Sequence, residues 1–172
     1  MDIRKSIIEE IRIFVAEENE ACSMGAVWQE PIVGFADAKS EYIGRVRENV
    51  HPDHQMPEEV MADAKTVICY FVPFEEWVAE SNSRDAANGV SSERGRDAVS
   101  LSSPQWAESY ELTNAMMARL NEHLIETVHN MGYEAKTAPE AAVFYRNEVI
   151  SHWSFRHIAY AAGPGTFGLN NT

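Results

Sequence analysis

The sequence predicts an α/β (α+β) protein in which a central mixed sheet is covered by helices. Residues 65–72 are a continuous β-branched and aromatic run, typical of a strand with both faces buried, and Pro73 ends it. Apolar residues recur at helical spacing in residues 3–15 and again in residues 106–131. Amphipathic helices of this kind supply the cover that a central strand needs.

Composition places limits on size, partners and compartment. With 172 residues, 45% hydrophobic and 24% charged, the chain is expected to form a single domain over residues 1–172. A formal net charge of -13 repels polyanions, so a broad nucleic-acid surface is not expected. No stretch reaches the roughly 18 apolar residues of a membrane span. Residues 1–5 lead into an amphipathic segment rather than an apolar signal region, so a signal sequence is not expected. We therefore expect a cytoplasmic protein without membrane contact.

Shorter elements are expected between and after the long helices. In residues 31–38, Gly34 indicates either a strand passing close to a ligand or another backbone, or a simple packing glycine. A helix is expected to begin at Pro57 and to end near residues 63–64. Short strands at residues 133–135 and 142–145 and a closing helix at residues 151–162 complete the expected elements.

A long polar segment precedes the longest helix. Residues 81–103 are rich in Ser, Asn, Gly and charge, and a loop of that length is either functional or disordered; the sequence leaves both open. The helix after it has Ser103 as its cap and Pro104 at its first position, and Gly132 ends it. Its expected apolar stripe consists of Trp106, Tyr110, Met117, Leu120, Leu124, Val128 and Met131.

Metal and thiol chemistry is not predicted. His51 and His54 lie three apart, but Pro52 breaks the helix that would put both rings on one face, and no cysteine or third histidine follows at ligand spacing. Cys22 and Cys69 fit neither a disulfide framework nor a four-thiolate cluster. We expect both cysteines to be buried as small hydrophobic groups.

The glycine-rich segment near the C-terminus is the most distinctive feature. Gly163, Gly165 and Gly168 match the spacing G-x-G-x-x-G, but they follow a predicted helix, whereas a dinucleotide fold places them after a strand. Two interpretations remain. The loop amides could bind an anionic or amide-rich cofactor tail, or Gly163 and Pro164 could simply cap and turn the helix.

A longer stretch around these glycines resembles a known family. Residues 153–169, read as W-S-F-R-H-I-A-Y-A-A-G-P-G-T-F-G-L, resemble the segment R-H-x-A-y-A-A-G-L-G-T-F-G-L of iron–sulfur proteins related to epoxyqueuosine reductase. Residues 31–36, His54 with Pro57, residues 64–68 with residues 71–74, and Tyr110 on the long helix resemble that family's N-terminal half in the same order. The chain would thus correspond to about the first half of a typical member.

The resemblance implies a nitroreductase-like fold, similar to the corrinoid domains of reductive dehalogenases, with cobalamin as cofactor and a tRNA substrate. In the family a ferredoxin-like domain with two [4Fe–4S] clusters follows and supplies electrons. Its eight cluster cysteines are not present, because the chain has two cysteines in all. No iron–sulfur cluster is therefore expected within these residues. We expect an oxidoreductase-like domain that is not active alone.

Candidate site residues follow from the same resemblance. Tyr110, Tyr145 and Glu148 are candidates for polar contact or proton donation near the cobalt. The candidates for contact with the cofactor are Arg156, Gly163, Gly165, Thr166, Gly168 and Asn170.

An alternative of another class is a non-enzymatic interaction domain. It would form a homodimer through the exposed apolar end Phe167-Gly168-Leu169, because loss of a covering domain exposes an apolar patch.

Overall fold

A computed structural model of the chain describes residues 2–87, 102–138, 144–145 and 150–168. Within it the protein is a mixed α/β structure that divides into two compact units. Unit 1 comprises Met1–Pro31 and Val72–Thr127, and unit 2 comprises Ile32–Phe71 and Val128–Thr172. The expectation of one domain over the whole chain stays a prediction.

Eleven helices and strands lie in the described residues. They are α1 Ile3–Ala21, β1 Ile32–Asp37, α2 Glu41–Gly44, α3 Val46–Asn49, α4 Pro57–Val60, β2 Thr66–Phe71, α5 Glu76–Ala87, α6 Pro104–Asn130, β3 Phe144–Tyr145, β4 Ile150–Ser151 and α7 Phe155–Ala162. None of the helices in this part of the chain combines the length and the apolar character that crossing a bilayer requires.

Unit 1 is built around α1 and the larger part of α6. Asp2 caps α1, since its side chain accepts a hydrogen bond from the backbone N–H of Arg4 at 3.1 Å. The predicted apolar face of α1 is confirmed, with Ile7, Ile11 and Val15 buried. Polar contacts join the two helices at their margins: Arg119 pairs with Glu18, and His123 Nε2 lies 3.1 Å from Glu10 Oε2.

The predicted ends of α6 are confirmed. Ser103 Oγ accepts the backbone N–H of Trp106 at 3.0 Å, and Gly132 adopts the left-handed φ of +86° just beyond the helix. The predicted stripe is wrong at Tyr110, which is 55% exposed. The neighbouring Ser109 is fully buried in its place.

The prediction that a loop begins at residue 81 is wrong for residues 81–87, which are helical. They form the second half of α5, which begins at Glu76 and buries Val78 completely. The middle of α5 is held from outside the helix, since Ser81 Oγ lies 2.7 Å from Ser103 Oγ and Asn82 Oδ1 accepts the Ser103 N–H at 2.7 Å. Serine and asparagine are weak helix formers, so tertiary hydrogen bonds decide the conformation here. Residues 88–101 of the expected loop lie outside the described residues.

The sheet of unit 2 is an antiparallel pair. β1 and β2 pair over their full lengths, with Ile32 opposite Phe71 and Asp37 opposite Thr66. Both strands were predicted and are confirmed. Among the described residues β2 pairs with β1 alone, and the predicted central position in a mixed sheet is not seen there. The apolar run correctly predicts that the strand is covered, since α7 packs on this pair. An apolar sequence does not, however, indicate how many neighbouring strands a strand pairs with.

Three smaller predictions need correction. Residues 133–135 carry no strand, and α4 ends at Val60 rather than near residues 63–64. The closing helix starts at Phe155 instead of residue 151, because Ile150 and Ser151 pair with β3. Of the expected strand at residues 142–145, only Phe144–Tyr145 lies in the described residues.

The core of unit 2 joins α7 to the strands and to the short helices α2 and α3. Its buried members are Ala36, Ile43, Val46, Trp153, Ile158 and Ala162. Cys69 packs against this cluster and is partly buried, as is Cys22 in unit 1, so both thiols are less buried than expected. Burial raises the pKa of the Cys69 thiol, which keeps it protonated and unreactive near neutral pH.

Candidate functional site

A pocket of about 170 Å³ lies in unit 2 between α7 and the α2–α3 segment. It is lined by Tyr42, Val46, Asn49, Val50, His157, Tyr160 and Phe167. Tyr42 and Tyr160 are 61% and 42% exposed, so the pocket reaches the surface of the unit. Helical spacing explains part of the arrangement, since His157 and Tyr160 are three apart on α7 and face the same side.

Aromatic rings form one side of this pocket. The Phe167 ring packs against His157 at a centroid distance of 4.9 Å and against Tyr160 at 5.6 Å. Tyr42 meets Tyr160 edge-to-face at 5.7 Å. These separations lie in the range of favourable aromatic pairs, each of which contributes about 0.5–1.5 kcal/mol beyond its buried area. The rings therefore support one another in a fixed arrangement.

His157 is the titratable group of the pocket with the best-defined geometry. Ser154, the cap residue of α7, places its Oγ 2.7 Å from His157 Nδ1. Burial and the positive charge of Arg156 lower the pKa of His157 below its ordinary 6.5, so the imidazole is neutral at pH 7. A neutral imidazole with one nitrogen occupied can donate or accept one further hydrogen bond through Nε2.

His54 fixes the segment that carries Ser154. Its side chain is fully buried, and its Nε2 accepts the backbone N–H of Ser154 at 2.8 Å. The ring also lies 5.6 Å from that of Trp153. Gln55 N–H donates to the carbonyl oxygen of His152 at 2.8 Å, which adds a second link between the two segments. His54 thus positions α7 and does not line the pocket.

The glycine segment turns the chain at the end of α7. Gly163 caps the helix with a φ of +89°, and its N–H donates to the carbonyl oxygens of Ala159 and Tyr160. This confirms the cap-and-turn interpretation for Gly163 and leaves its amide no capacity for an anion. Gly165, Thr166 and Gly168 are exposed.

Gly34 packs against this turn. A Cβ built on Gly34 would lie 2.3 Å from the Ala162 carbonyl oxygen and 2.6 Å from Pro164 Cδ. The prediction that β1 passes close to another backbone at this glycine is therefore confirmed.

The candidates named from the family resemblance do not form one cluster in the described residues. Tyr110 is exposed on α6 in unit 1, and Arg156 is exposed on α7. Tyr145 lies in β3, opposite Ile150. Glu148 and Asn170 lie outside the described residues.

The pocket brings together residues that sequence reasoning missed. Ser154 and His157 carry a local signal, because a cap residue and the third residue of a helix are within side-chain reach. No local sequence signal points to Tyr42 and Asn49, since their position depends on how α2 and α3 pack against α7. A search of the described residues for three or more His, Cys, Asp or Glu in metal-binding proximity finds no such group. The ring nitrogens of His51 and His54 are used in hydrogen bonds. Nδ1 of His51 accepts the Asp53 N–H at 3.2 Å, and both nitrogens of His54 bond to the backbone.

Comparison with known proteins adds no assignment. No family model matches the chain, and neither a characterised protein nor a solved structure is significantly similar to it.

Proposed function

We propose that the chain is the ligand-binding, corrinoid-domain part of a redox protein similar to epoxyqueuosine reductase. The observation that carries this proposal is the convergence in unit 2 of segments far apart in the sequence. Among the family-like segments, residues 32–36, His54, residues 64–68 and residues 153–167 lie in unit 2 and supply β1, the His54 loop, β2 and α7 with its glycine turn. Residues 72–74 and Tyr110 lie in unit 1.

Contacts between those segments support the proposal further. Gly34 approaches Ala162 and Pro164, and His54 bonds to Ser154. The antiparallel β1–β2 pair with α7 packed on it supports a layered α/β core. The nitroreductase-like topology is part of the proposal.

The volume of the pocket limits which part of a corrinoid could bind in it. Sites for drug-sized ligands usually enclose about 300–1,000 Å³, and this pocket encloses about 170 Å³. It does not fit the macrocycle of a corrinoid and would hold only one substituent. The described residues therefore provide no basis for a reaction step at cobalt. The two cysteines of these residues cannot ligate a four-cysteine cluster, so no step is assigned to such a cluster here.

Titration of the purified protein with hydroxocobalamin tests the proposal. We expect a shift in the visible spectrum that saturates with added protein, and a weaker shift for Phe167→Ala. Tyr133→Ala serves as the control, since Tyr133 is also an exposed aromatic of unit 2 but lies outside the pocket lining. Absence of a spectral shift at high micromolar protein would overturn the proposal.

A second candidate function is self-association through an aromatic surface of unit 2. The observation in its favour is the exposed, mutually packed pair Tyr42 and Tyr160. Phe167, which was expected to be exposed, instead packs against His157 and Tyr160 of its own chain. Sedimentation of the full chain and of a variant lacking its last ten residues tests association. Monomers in both cases would exclude this function.

A further inference from the structure

The two sides of the pocket differ in chemistry. Phe167 and Tyr160 present aromatic rings inclined by 33° to each other. Val46 and Val50, on and beside α3, line the pocket with aliphatic groups. A flat ring gains contact area from both kinds of surface, and stacking on an aromatic side chain is worth about 1–3 kcal/mol for nucleic-acid bases.

Several polar groups at this pocket have no hydrogen-bond partner within the described ranges. They are the amide of Asn49, the hydroxyls of Tyr42 and Tyr160, and Nε2 of His157. Among the described residues, the side-chain hydrogen bond of His157 is the one between Nδ1 and Ser154. Ligand pockets characteristically combine apolar walls with a few polar groups of this kind, which orient the ligand.

The volume indicates the size of the ligand. An apolar cavity of about 150 Å³ in another protein holds one benzene molecule, and this pocket encloses about 170 Å³. One six-membered ring therefore fits, and a larger ligand would place one ring inside and the rest at the open side near Tyr42.

We infer that this pocket binds a single six-membered nitrogen heterocycle, stacked on Phe167 and Tyr160, whose ring nitrogen accepts a hydrogen bond from Nε2 of His157. The Ser154 hydroxyl makes this possible because it can donate to Nδ1, which leaves the proton of the neutral imidazole on Nε2. The inference needs only the pocket and does not depend on corrinoid binding.

Three matched probes test the inference on the wild-type chain by NMR titration of backbone amides. Nicotinamide has an aromatic ring with a ring nitrogen, benzamide has an aromatic ring without that nitrogen, and cyclohexanecarboxamide has a saturated ring without a nitrogen. We expect nicotinamide to shift the amides of Asn49, Tyr160 and Phe167 with a Kd of about millimolar, as suits so small a ligand. Benzamide should bind about two- to tenfold more weakly, the contribution of one hydrogen bond. Equal binding of nicotinamide and cyclohexanecarboxamide, or shifts confined to other residues, would overturn the inference.

Two substitutions of His157 separate the hydrogen bond to the ligand from the one to Ser154. His157→Asn keeps an amide near the position of Nδ1, and His157→Gln places one near Nε2. We expect the preference for nicotinamide over benzamide to disappear in His157→Asn and to persist in His157→Gln. Phe167→Ala should weaken both ligands at least about fivefold, and Tyr133→Ala should weaken neither. A preference that survives in His157→Asn would contradict the role of Nε2.

Discussion

The Nε2 atom of His54 accepts a hydrogen bond from the backbone N–H of Ser154, 100 residues further along the chain, at 2.8 Å. A backbone N–H can only donate, so Nε2 carries no proton and the neutral ring has its proton on Nδ1. Nδ1 lies 2.6 Å from the carbonyl oxygen of Gln55 and donates to it. His54 is thus a buried neutral imidazole with both nitrogens satisfied, and it anchors the start of α7.

Replacing His54 should reveal this anchoring role. His54→Ala removes the acceptor of the Ser154 N–H and leaves a cavity beside Trp153, so we expect a loss of about 2–4 kcal/mol in the free energy of unfolding. His54→Gln should lose at least about 1 kcal/mol less, because the amide oxygen can accept the same N–H. Urea denaturation measures both values. Equal losses in the two variants would show that the hydrogen bond to Ser154 contributes nothing.

The stability of the fold should depend on pH through the same residue. Burial lowers the pKa of His54 in the folded protein from 6.5. The unfolded chain then binds more protons than the folded one at pH values between the folded-state pKa and 6.5. The contribution of His54 to the free energy of unfolding is therefore fully present above pH 6.5 and declines as the pH falls through that interval. The lowered pKa of His157 acts in the same direction. Glu59 responds only at lower pH, since its pKa is lowered from 4.5 by hydrogen bonds from the Met56 N–H and Arg47.

Urea denaturation at pH 8 and at about pH 5.5 should therefore show a lower free energy of unfolding at the acidic pH. The decline should be smaller in His54→Gln, which lacks the buried imidazole and keeps His157. A decline of the same size in the variant would assign the pH dependence to other groups.

Local signals account for what the sequence predicted correctly. The apolar face of α1, the serine cap and glycine stop of α6, and the αL cap at Gly163 each depend on residues within a few positions of one another. The strands β1 and β2 were also recognisable, because β-branched apolar runs bounded by proline are typical of strands.

Tertiary contacts account for what the sequence did not predict. The middle of α5 makes hydrogen bonds from Ser81 and Asn82 to Ser103, 21 or more positions further along the chain. The pairing of β3 with β4 delays the start of α7. The pocket requires Tyr42 to lie against Tyr160, 118 positions apart in the numbering of the chain. No local pattern encodes such contacts, and no cysteine or histidine spacing pointed to His157.

Substitution of Gly34 should distort the turn that borders the pocket. In Gly34→Ala the added Cβ would lie 2.3 Å from a backbone oxygen, that of Ala162, and main-chain atoms cannot yield as a side chain can. We expect a loss of about 1–3 kcal/mol or more in the free energy of unfolding. Gly44→Ala is the matched control, because nothing lies within 4 Å of a Cβ at that position. It should be neutral or stabilise by up to about 1 kcal/mol. Similar thermal stability of the two variants would contradict the close approach seen at Gly34.

The hydroxyl of Thr113 should be essential for the packing of Trp28 in unit 1. Trp28 is 3% exposed, and its indole Nε1–H donates to Thr113 Oγ1 at 2.7 Å. The hydroxyl in turn donates to the carbonyl oxygen of Ser109 at 2.7 Å. Thr113→Val keeps the shape of the side chain but leaves the indole N–H without an acceptor.

We therefore expect Thr113→Val to lower the free energy of unfolding by about 1–3 kcal/mol, the cost of an unsatisfied buried donor. Thr113→Ser retains the hydroxyl and loses one methyl group, so its loss should be nearer 1 kcal/mol. Urea denaturation of the two variants, with the NMR signal of the Trp28 indole proton as a local probe, measures the difference. If valine were tolerated as well as serine, the hydrogen bond from Trp28 would not contribute to stability, and packing alone would hold the indole.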